Sequence, residues 1–415
     1  MQLRYNYRLD PTPGQTRDLA RAFGCARVVW NDALRARKDS YAAGAGWIPG
    51  GVLSKLLITE AKKTPARAWL ENAPVGVMQQ SLRDLDLAYR NFFDSASGRR
   101  KGAKVAEPRF KSRKDTRQAV RYTRSDCFRV LPNGKLRLPK VGEVKVRWSR
   151  PLPSAPSSVT VVKDASGRYF ASFVVVTDPA EDLDRFPEVD AETGIDLGLA
   201  HFAVLSDGRK VDAPKFLRRA EKKLKRLQQD LCRKQKGSSN RRKAVVKVAK
   251  AHAHVADARR DFHHKLSTTL IRENQAVCVE DLAVAGLGRT RLAKSVHDAG
   301  WSSFVNMLEY KAARYGRTFA KVDRFAPTSQ VCSACGVKDG PKPLAVREWT
   351  CAGCGAVHDR DVNAAKNVLK LGQVAAGRAE TLNARGGQVR PGVIPAQARE
   401  AGTRRSDLVQ PCPAQ

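Results

Sequence analysis

Apolar and polar side chains alternate at Leu3, Tyr5, Tyr7 and Leu9, a period of two that predicts a strand over residues 2–9. Pro11-Thr-Pro-Gly14 then turns the chain. From Gln15 to about Phe93 the period becomes helical, with Leu19, Phe23, Val28 and Val29 marking one segment and Leu82, Leu85, Leu87, Tyr89, Phe92 and Phe93 another, around a loop at Gly44–Gly51. Short strands follow at Lys135–Leu138, Glu143–Trp148, Ser158–Lys163 and Tyr169–Thr177, with hairpin turns at Asn133-Gly134 and Ser166-Gly167. Joined by the N-terminal strand, they predict a small β-barrel from residues 1–10 and 108–180, carrying a helical insert over 11–107 and followed by a linker at 181–191.

At Glu192 the pattern becomes α/β. Strands are predicted at Gly194–Asp196 and His201–Leu205, closed by the Asp207-Gly208 turn, then at Ala276–Val279 and Thr318–Val322. Helical stripes run through Leu217, Leu224, Leu227 and Leu231, and through Val248, Ala251, Val255, Phe262, Leu266 and Leu270, a helical pair broken at Gly237-Ser238-Ser239. Further helices are expected over Trp301–Tyr315 and Asp361–Leu371. An α/β domain over 192–326 and 357–372 is thus interrupted by a cysteine-bearing insert at 327–356, and residues 373–415, poor in large apolar side chains, predict a mostly disordered tail.

That insert carries the sharpest chemistry. Cys332-Ser-Ala-Cys335 and Cys351-Ala-Gly-Cys354 flank fifteen residues, the spacing of a zinc ribbon. A C-x2-C turn aims both sulfurs at one point, and Zn2+ held by four cysteines contributes roughly 10–16 kcal/mol to folding such a small module. The zinc is therefore structural; His358 is a substitute ligand, but four cysteines are the simpler set.

Charge changes the picture next. The 415 residues hold 76 Lys and Arg against 41 Asp and Glu, a formal charge of +35, which calls for a polyanionic partner. No apolar run is long enough to span a membrane, Met1-Gln-Leu-Arg-Tyr lacks a secretory signal, and Cys25, Cys127, Cys232, Cys278 and Cys412 follow no disulfide framework; a cytoplasmic protein is expected. Residues 97–125 carry eleven Lys and Arg against two acids, including Arg100, Lys101, Lys111 and Arg113, with Phe110, Tyr122 and Phe128 interleaved as candidate base-stacking rings. Residues 215–260 carry seventeen against three, with Lys222, Lys225, Arg226, Arg241 and Arg242 as candidate phosphate contacts. Helices merely solvated would mix Glu with Lys, so nucleic-acid contact is the favoured reading. Gln79 and Gln80 could bond an adenine edge, or be ordinary helix-surface glutamines.

Three acids lie where an RNase H-like fold would place them: Asp196 in the first strand of the α/β domain, Glu280 after a later one, Asp361 at the head of the last helix. Clustered carboxylates repel unless divalent cations sit among them, and Mg2+ takes such oxygen ligands, two ions standing roughly 3.5–4 Å apart in sites that hydrolyse phosphodiesters. Asp281 and Asp359 read as surface and capping acids.

The order Gly194-Ile-Asp-Leu-Gly-Leu199, Val279-Glu-Asp-Leu282, the two cysteine pairs and Asp359-Arg-Asp-Val-Asn-Ala-Ala365 resembles the TnpB (OrfB) transposon-encoded nucleases, relatives of type V CRISPR effectors. Asp261-Phe262, His264-Lys265-Leu266, Asp298-Ala-Gly-Trp301, Leu308-Glu-Tyr-Lys-Ala312 and Thr381-Leu-Asn-Ala-Arg-Gly386 extend the likeness over nearly the whole chain. The resemblance implies a wedge-type barrel with a recognition helical insert, then a RuvC-type nuclease domain with inserted helical hairpin and zinc ribbon. It implies an RNA-guided endonuclease cutting duplex DNA beside a short motif, using two Mg2+ ions at Asp196, Glu280 and Asp361 and a guide RNA from the transposon end. A single protein chain in a ribonucleoprotein, prokaryotic and nucleoid-associated when bound to DNA, is expected. Two other classes remain open: a guide-directed regulator that binds DNA without cleaving it, and a transposase performing strand transfer.

Overall fold

The computed structural model describes residues 2–123, 128–178, 186–187, 189–343 and 345–383. They fall into two compact units, residues 1–178 with 230–250, and residues 179–229 with 251 onward. Much of the expected linker at 181–191 lies outside the described residues.

In the first unit β1 (Gln2–Asp10) is the centre of a seven-stranded sheet with β2 (Gln118–Thr123), β3 (Arg129–Val130), β4 (Lys135–Leu138), β5 (Gly142–Arg147), β6 (Ser158–Lys163) and β7 (Tyr169–Val176), in the order β2-β6-β7-β1-β5-β4-β3. β1 pairs antiparallel with β7 from Gln2↔Val176 to Leu9↔Tyr169 and, on its other edge, with β5. Alternation aims Tyr5, Tyr7 and Leu9 at one core with Val159, Val161, Phe173 and Val175. Among the described residues no ladder joins the end strands β2 and β3, so the predicted barrel is a half-barrel sheet.

Strand β2 sits inside the basic run and was not foreseen, because Arg117, Arg121 and the flanking lysines mask its alternation. Its presence corrects one expectation: Tyr122 is fully buried and Phe128 nearly so, both in the sheet core, and neither is available to stack on a base. Of the three interleaved rings only Phe110 is exposed, with the Arg35 guanidinium 5.4 Å from its centroid.

Pro11–Gly14 turns out to be a helix start. Thr12 caps α1 (Pro13–Ala42) by accepting the Gln15 N–H, while the Gln15 side chain accepts the Thr12 N–H, a reciprocal capping box with Pro13 in the first turn. The early turns of α1 and the start of α3 (Val75–Ala96) place Leu19, Phe23 and Val77 against the sheet; beyond them Val29, Leu34, Met78 and Leu85 form a separate helical core with Leu53 of α2 (Gly50–Ser54).

The second unit is built on a five-stranded sheet in the order β10-β9-β8-β11-β12: β8 (Glu192–Asp196), β9 (His201–Leu205), β10 (Lys210–Asp212), β11 (Ala276–Glu280) and β12 (Thr318–Val322). β8, β11 and β12 run parallel, and β9 is antiparallel to both its neighbours β8 and β10, so that it alone is reversed in the sheet. The helices α4 (Phe216–Cys232) and α5 (Ser239–Glu273) lie between β10 and β11 in the chain; α6 (Val284–Leu287), α7 (Ala293–Ala299) and α8 (Trp301–Arg314) separate β11 from β12. Ile195, Val277 and Val279 point to one face of the sheet, where Leu270, Phe304 and Leu308 cover them. Gly194, Asp196, Cys278 and Glu280 therefore point to the other.

That other face is covered by α9 (Arg360–Asn383), which follows the hairpin of β13 (Glu348–Thr350) and β14 (Val357–Asp359). The helix runs past the expected end at Leu371, so the first eleven residues of the predicted disordered tail are helical; residues 384–415 lie outside the described residues. α9 comes unusually close to the sheet. A Cβ on Gly194 would stand 2.1 Å from the Ala365 carbonyl oxygen, and a Cβ on Gly372 would meet the Cys278 side chain at 2.2 Å. Gly194→Ala should accordingly lower stability by about 1–3 kcal/mol through overpacking against backbone, whereas Gly51→Ala, with nothing within 4 Å, should be nearly neutral. Urea denaturation measures both, and equal stabilities would remove the close-approach argument.

Candidate active site and metal centre

Two parallel strands and one helix end bring the acidic residues together. Val279 of β11 pairs with Ile195 of β8, and the next residue on each strand is Glu280 and Asp196. Asp361 lies in the first turn of α9, which crosses the same face. Burial raises the Asp196 carboxyl, the charges of Glu280 and Asp361 raise it further, and Arg360 opposes them, leaving it at about 7. Burial raises Glu280 as well. Asp361 has the Arg347 guanidinium 3.5 Å away. Half-buried carboxylates in mutual repulsion form an oxygen-rich cage suited to a hard divalent cation.

The neighbouring acids are otherwise employed. Asp359 caps α9 by accepting the N–H groups of Asp361 and Val362, both at 3.0 Å, and pairs with Lys210 at 2.6 Å. Although its burial works the other way, these partners hold its carboxyl below the ordinary value. Asp281 pairs with Arg324.

The four cysteines of the insert converge independently. Their sulfurs all lie within 4.8 Å of one another, with Cys332–Cys354 and Cys335–Cys351 each at 3.7 Å. Tetrahedral thiolates around Zn2+, with bonds of about 2.3 Å, stand about 3.8 Å apart, so the donor set fits that ion. His358 Nε2 is 3.0 Å from the Cys332 sulfur, placed to donate a hydrogen bond to a thiolate rather than to replace one, and its ring packs on Trp349.

Among the candidate nucleic-acid contacts the structure separates engaged side chains from open ones. Gln80 is buried and donates to Asp84 at 2.9 Å, which takes it out of position to read a base edge; Gln79 is exposed. Arg241 donates Nη1 to the Leu231 and Lys234 carbonyls and closes the turn before α5. Lys111 places its ammonium 3.5 Å from the Trp30 centroid, while Asn31 holds its backbone N–H and C=O. Arg100 bonds Asn91. Lys101, Arg113, Lys222, Lys225, Arg226 and Arg242 are exposed. Among the described residues no helix is long and apolar enough to cross a membrane.

Comparison with known proteins is consistent over the length of the chain. Residues 173–291 match the OrfB family described as "Probable transposase", residues 301–368 the "Cas12f1-like, TNB domain", and residues 1–46 a "Helix-turn-helix domain". A Streptomyces pristinaespiralis protein named "Putative RNA-guided DNA endonuclease" is 44% identical over 375 residues, 89% of either chain. The chain belongs to the TnpB (OrfB) family. Other TnpB relatives are the Escherichia coli (strain K12) protein named "Putative RNA-guided DNA endonuclease InsQ", 31% identical over 89% of this chain and 92% of its own, and a Mycobacterium tuberculosis (strain CDC 1551 / Oshkosh) protein of similar name, 27% identical over 96% and 93%. In this TnpB member residues 1–46 hold β1 and the single long helix α1, where the family description speaks of two helices and a turn.

Several polar residues were given no role of their own by the sequence reading. Asp298 is buried and accepts the Leu217 and Arg218 N–H groups, capping α4, while pairing with Arg259 at 3.3 Å. Asn363 and Asn367 are buried polar residues on α9; their spacing of four along a helix of apolar neighbours was the available signal. Arg347, before the second cysteine pair, gave none.

The raised Asp196 value has a stability consequence. A carboxyl that holds its proton more tightly folded than unfolded favours the folded state at low pH, and this contribution is lost as pH rises from about 4 to about 7. Without divalent cations, Asp196→Asn should therefore gain stability relative to wild type across that window, by up to about 1.4 kcal/mol per pH unit. Unfolding curves at pH 4, 5.5 and 7.5 read this out, and parallel pH profiles would exclude it.

Proposed function

We propose that the chain is an RNA-guided, Mg2+-dependent DNA endonuclease with a RuvC-type active site. The observation that carries this reading is the meeting of Asp196, Glu280 and Asp361 on one sheet face, close enough for two of them to raise the third, in a chain of charge +35. The strand order β10-β9-β8-β11-β12, with β9 alone reversed and the other four strands running in one direction, supports an RNase H-like sheet. The names of the Streptomyces and Escherichia relatives support guidance by RNA and DNA as substrate. On this reading residues 1–10 and 108–180 are the wedge, 11–107 the recognition helices, 192–326 and 357–372 the nuclease domain, and 327–356 a zinc ribbon.

Asp196, Glu280 and Asp361 would hold two Mg2+ ions, which when bound supply Lewis-acid activation of the scissile phosphate, of the attacking water and of the departing 3′-oxygen. The chain's own contribution is positional. Asp196 and Glu280 stand on adjacent parallel strands whose backbones are mutually hydrogen-bonded, and Asp361 is held by a helix capped at Asp359. The exposed Lys222, Lys225, Arg226 and Arg242 supply positive charge for the phosphate backbone, while base pairing to the guide selects the sequence. The products are a 5′-phosphate and a 3′-hydroxyl. The four cysteines hold Zn2+ in a structural role.

The family description "Probable transposase" motivates the second reading, strand transfer by the same carboxylates. Product chemistry separates the two, since hydrolysis leaves linear cut DNA and strand transfer leaves joined strands. The first test is expression with the native downstream DNA, purification at high salt and sequencing of the retained RNA. A discrete RNA with a constant scaffold and a variable end is expected; heterogeneous RNA would sink guided targeting. With that RNA, Asp196→Ala should keep RNA and DNA binding and lose cleavage by at least about a thousandfold, the scale on which removal of a central catalytic group acts. Cys335→Ser should lose the bound zinc and lower the Tm, measured by metal content and calorimetry.

A further inference from the structure

Helix α9 is held from both sides. At about 100° per residue, Ala365, Val368 and Gly372 fall on the side of Asp361, where Ala365 and Gly372 approach Gly194 and Cys278 of the sheet. Asn363, Asn367 and Lys370 fall about 180–240° away from Asp361, and all three reach the loop that enters the first cysteine pair. Asn363 Oδ1 accepts the Ser333 N–H at 2.8 Å, and its Nδ2 donates to the Val331 carbonyl at 2.8 Å. Asn367 Nδ2 donates to the carbonyls of Thr328 at 2.8 Å and Val331 at 2.7 Å. Lys370 Nζ donates to the Ser333 carbonyl at 2.5 Å. Asn363 is 1% exposed and Asn367 6%, with Thr328 and Ser333 also buried, so water does not compete for these bonds.

Cys332 stands between Val331 and Ser333, the two residues whose backbones the amides grip. We infer that Asn363 and Asn367 are positioning residues for the carboxylate site, bracing α9 from behind against the cysteine loop so that the metal-loaded ribbon sets where Asp361 stands relative to Asp196 and Glu280. The inference rests on the reading of those three acids as a divalent-cation site. Among the described residues neither asparagine side chain hydrogen-bonds a cysteine sulfur or a carboxylate. Each acts through the helix between them. A ribbon whose four thiolates are intact but whose grip on α9 is lost should keep its own ion and loosen the other site.

The test uses the full-length chain, with Mn2+ as a paramagnetic probe of the carboxylates and chelator-release absorbance for zinc. Asn363→Ala and Asn367→Ala should each retain one zinc per chain while binding Mn2+ about tenfold more weakly, the scale on which loss of a residue that holds a metal ligand in place acts. Lys370→Met, which removes one part-buried ammonium bond to the Ser333 carbonyl, should fold as wild type and show a smaller fall in the same direction. A cleavage defect in the asparagine variants should be recovered by raising Mg2+, which a general loss of folding would not allow. Unchanged Mn2+ affinity in all three variants overturns the inference. Mn2+ binding that is equal in wild type and Asp196→Ala removes the cation-site reading itself, and the inference with it, so the two failures are distinguishable.

Discussion

The site in the second unit depends on one close approach, the backbone of α9 against Gly194 of β8 and, further along, Gly372 against Cys278 of β11. Side chains at either glycine would hold the helix away from the sheet, and with it the first-turn residue Asp361. Because Gly194 is two residues before Asp196, and Cys278 two before Glu280, each contact lies on the same sheet face as the acid it serves. The packing is therefore inseparable from the electrostatics. Tight seating of the helix is what drives three carboxylates into one another's field.

Carboxylates so placed are unfavourable by themselves: burial raises both Asp196 and Glu280, and at Asp196 the charges of Glu280 and Asp361 add to it. The surrounding cations do not cancel it. Arg360 lowers Asp196 only in part, Arg347 stands 3.5 Å from Asp361 and is exposed, and Lys210 is engaged by the capping acid Asp359. A divalent ion is the kind of charge that complements such a cluster. The cysteine cluster shows the same logic with softer ligands, four sulfurs at separations that match a tetrahedral ion.

Much of the second unit was legible because its signals are local. The apolar run at Ala276–Val279, the strand at Thr318–Val322, the break at Gly237-Ser238-Ser239 and the two cysteine pairs each depend on neighbours a few residues apart. Strand β2 escaped because its alternation of Val120 and Tyr122 is overlaid by Arg117, Arg121 and nearby lysines, whose stems can lie over apolar surface while their charges reach water. The same overlay made Tyr122 and Phe128 look like exposed rings. Gln80 and Arg241 make a related point: a polar side chain looks free in a sequence until a partner, Asp84 or the Leu231 carbonyl, is placed beside it.

By itself, the sequence determined the α/β class of the second unit, the +35 charge that calls for a polyanion, the four cysteines at zinc-ribbon spacing and three acids as candidates, because composition and spacing are written along the chain. Tertiary structure alone decided that Asp196, Glu280 and Asp361 share a field, that Asp359 caps while Asp361 does not, and that Asn363 and Asn367 hold the cysteine loop. The physical reason is range. Periodicity and ligand spacing act over a turn or a strand, whereas repulsion between carboxylates 81 to 165 positions apart in the chain exists only after a helix has settled within backbone contact of a glycine.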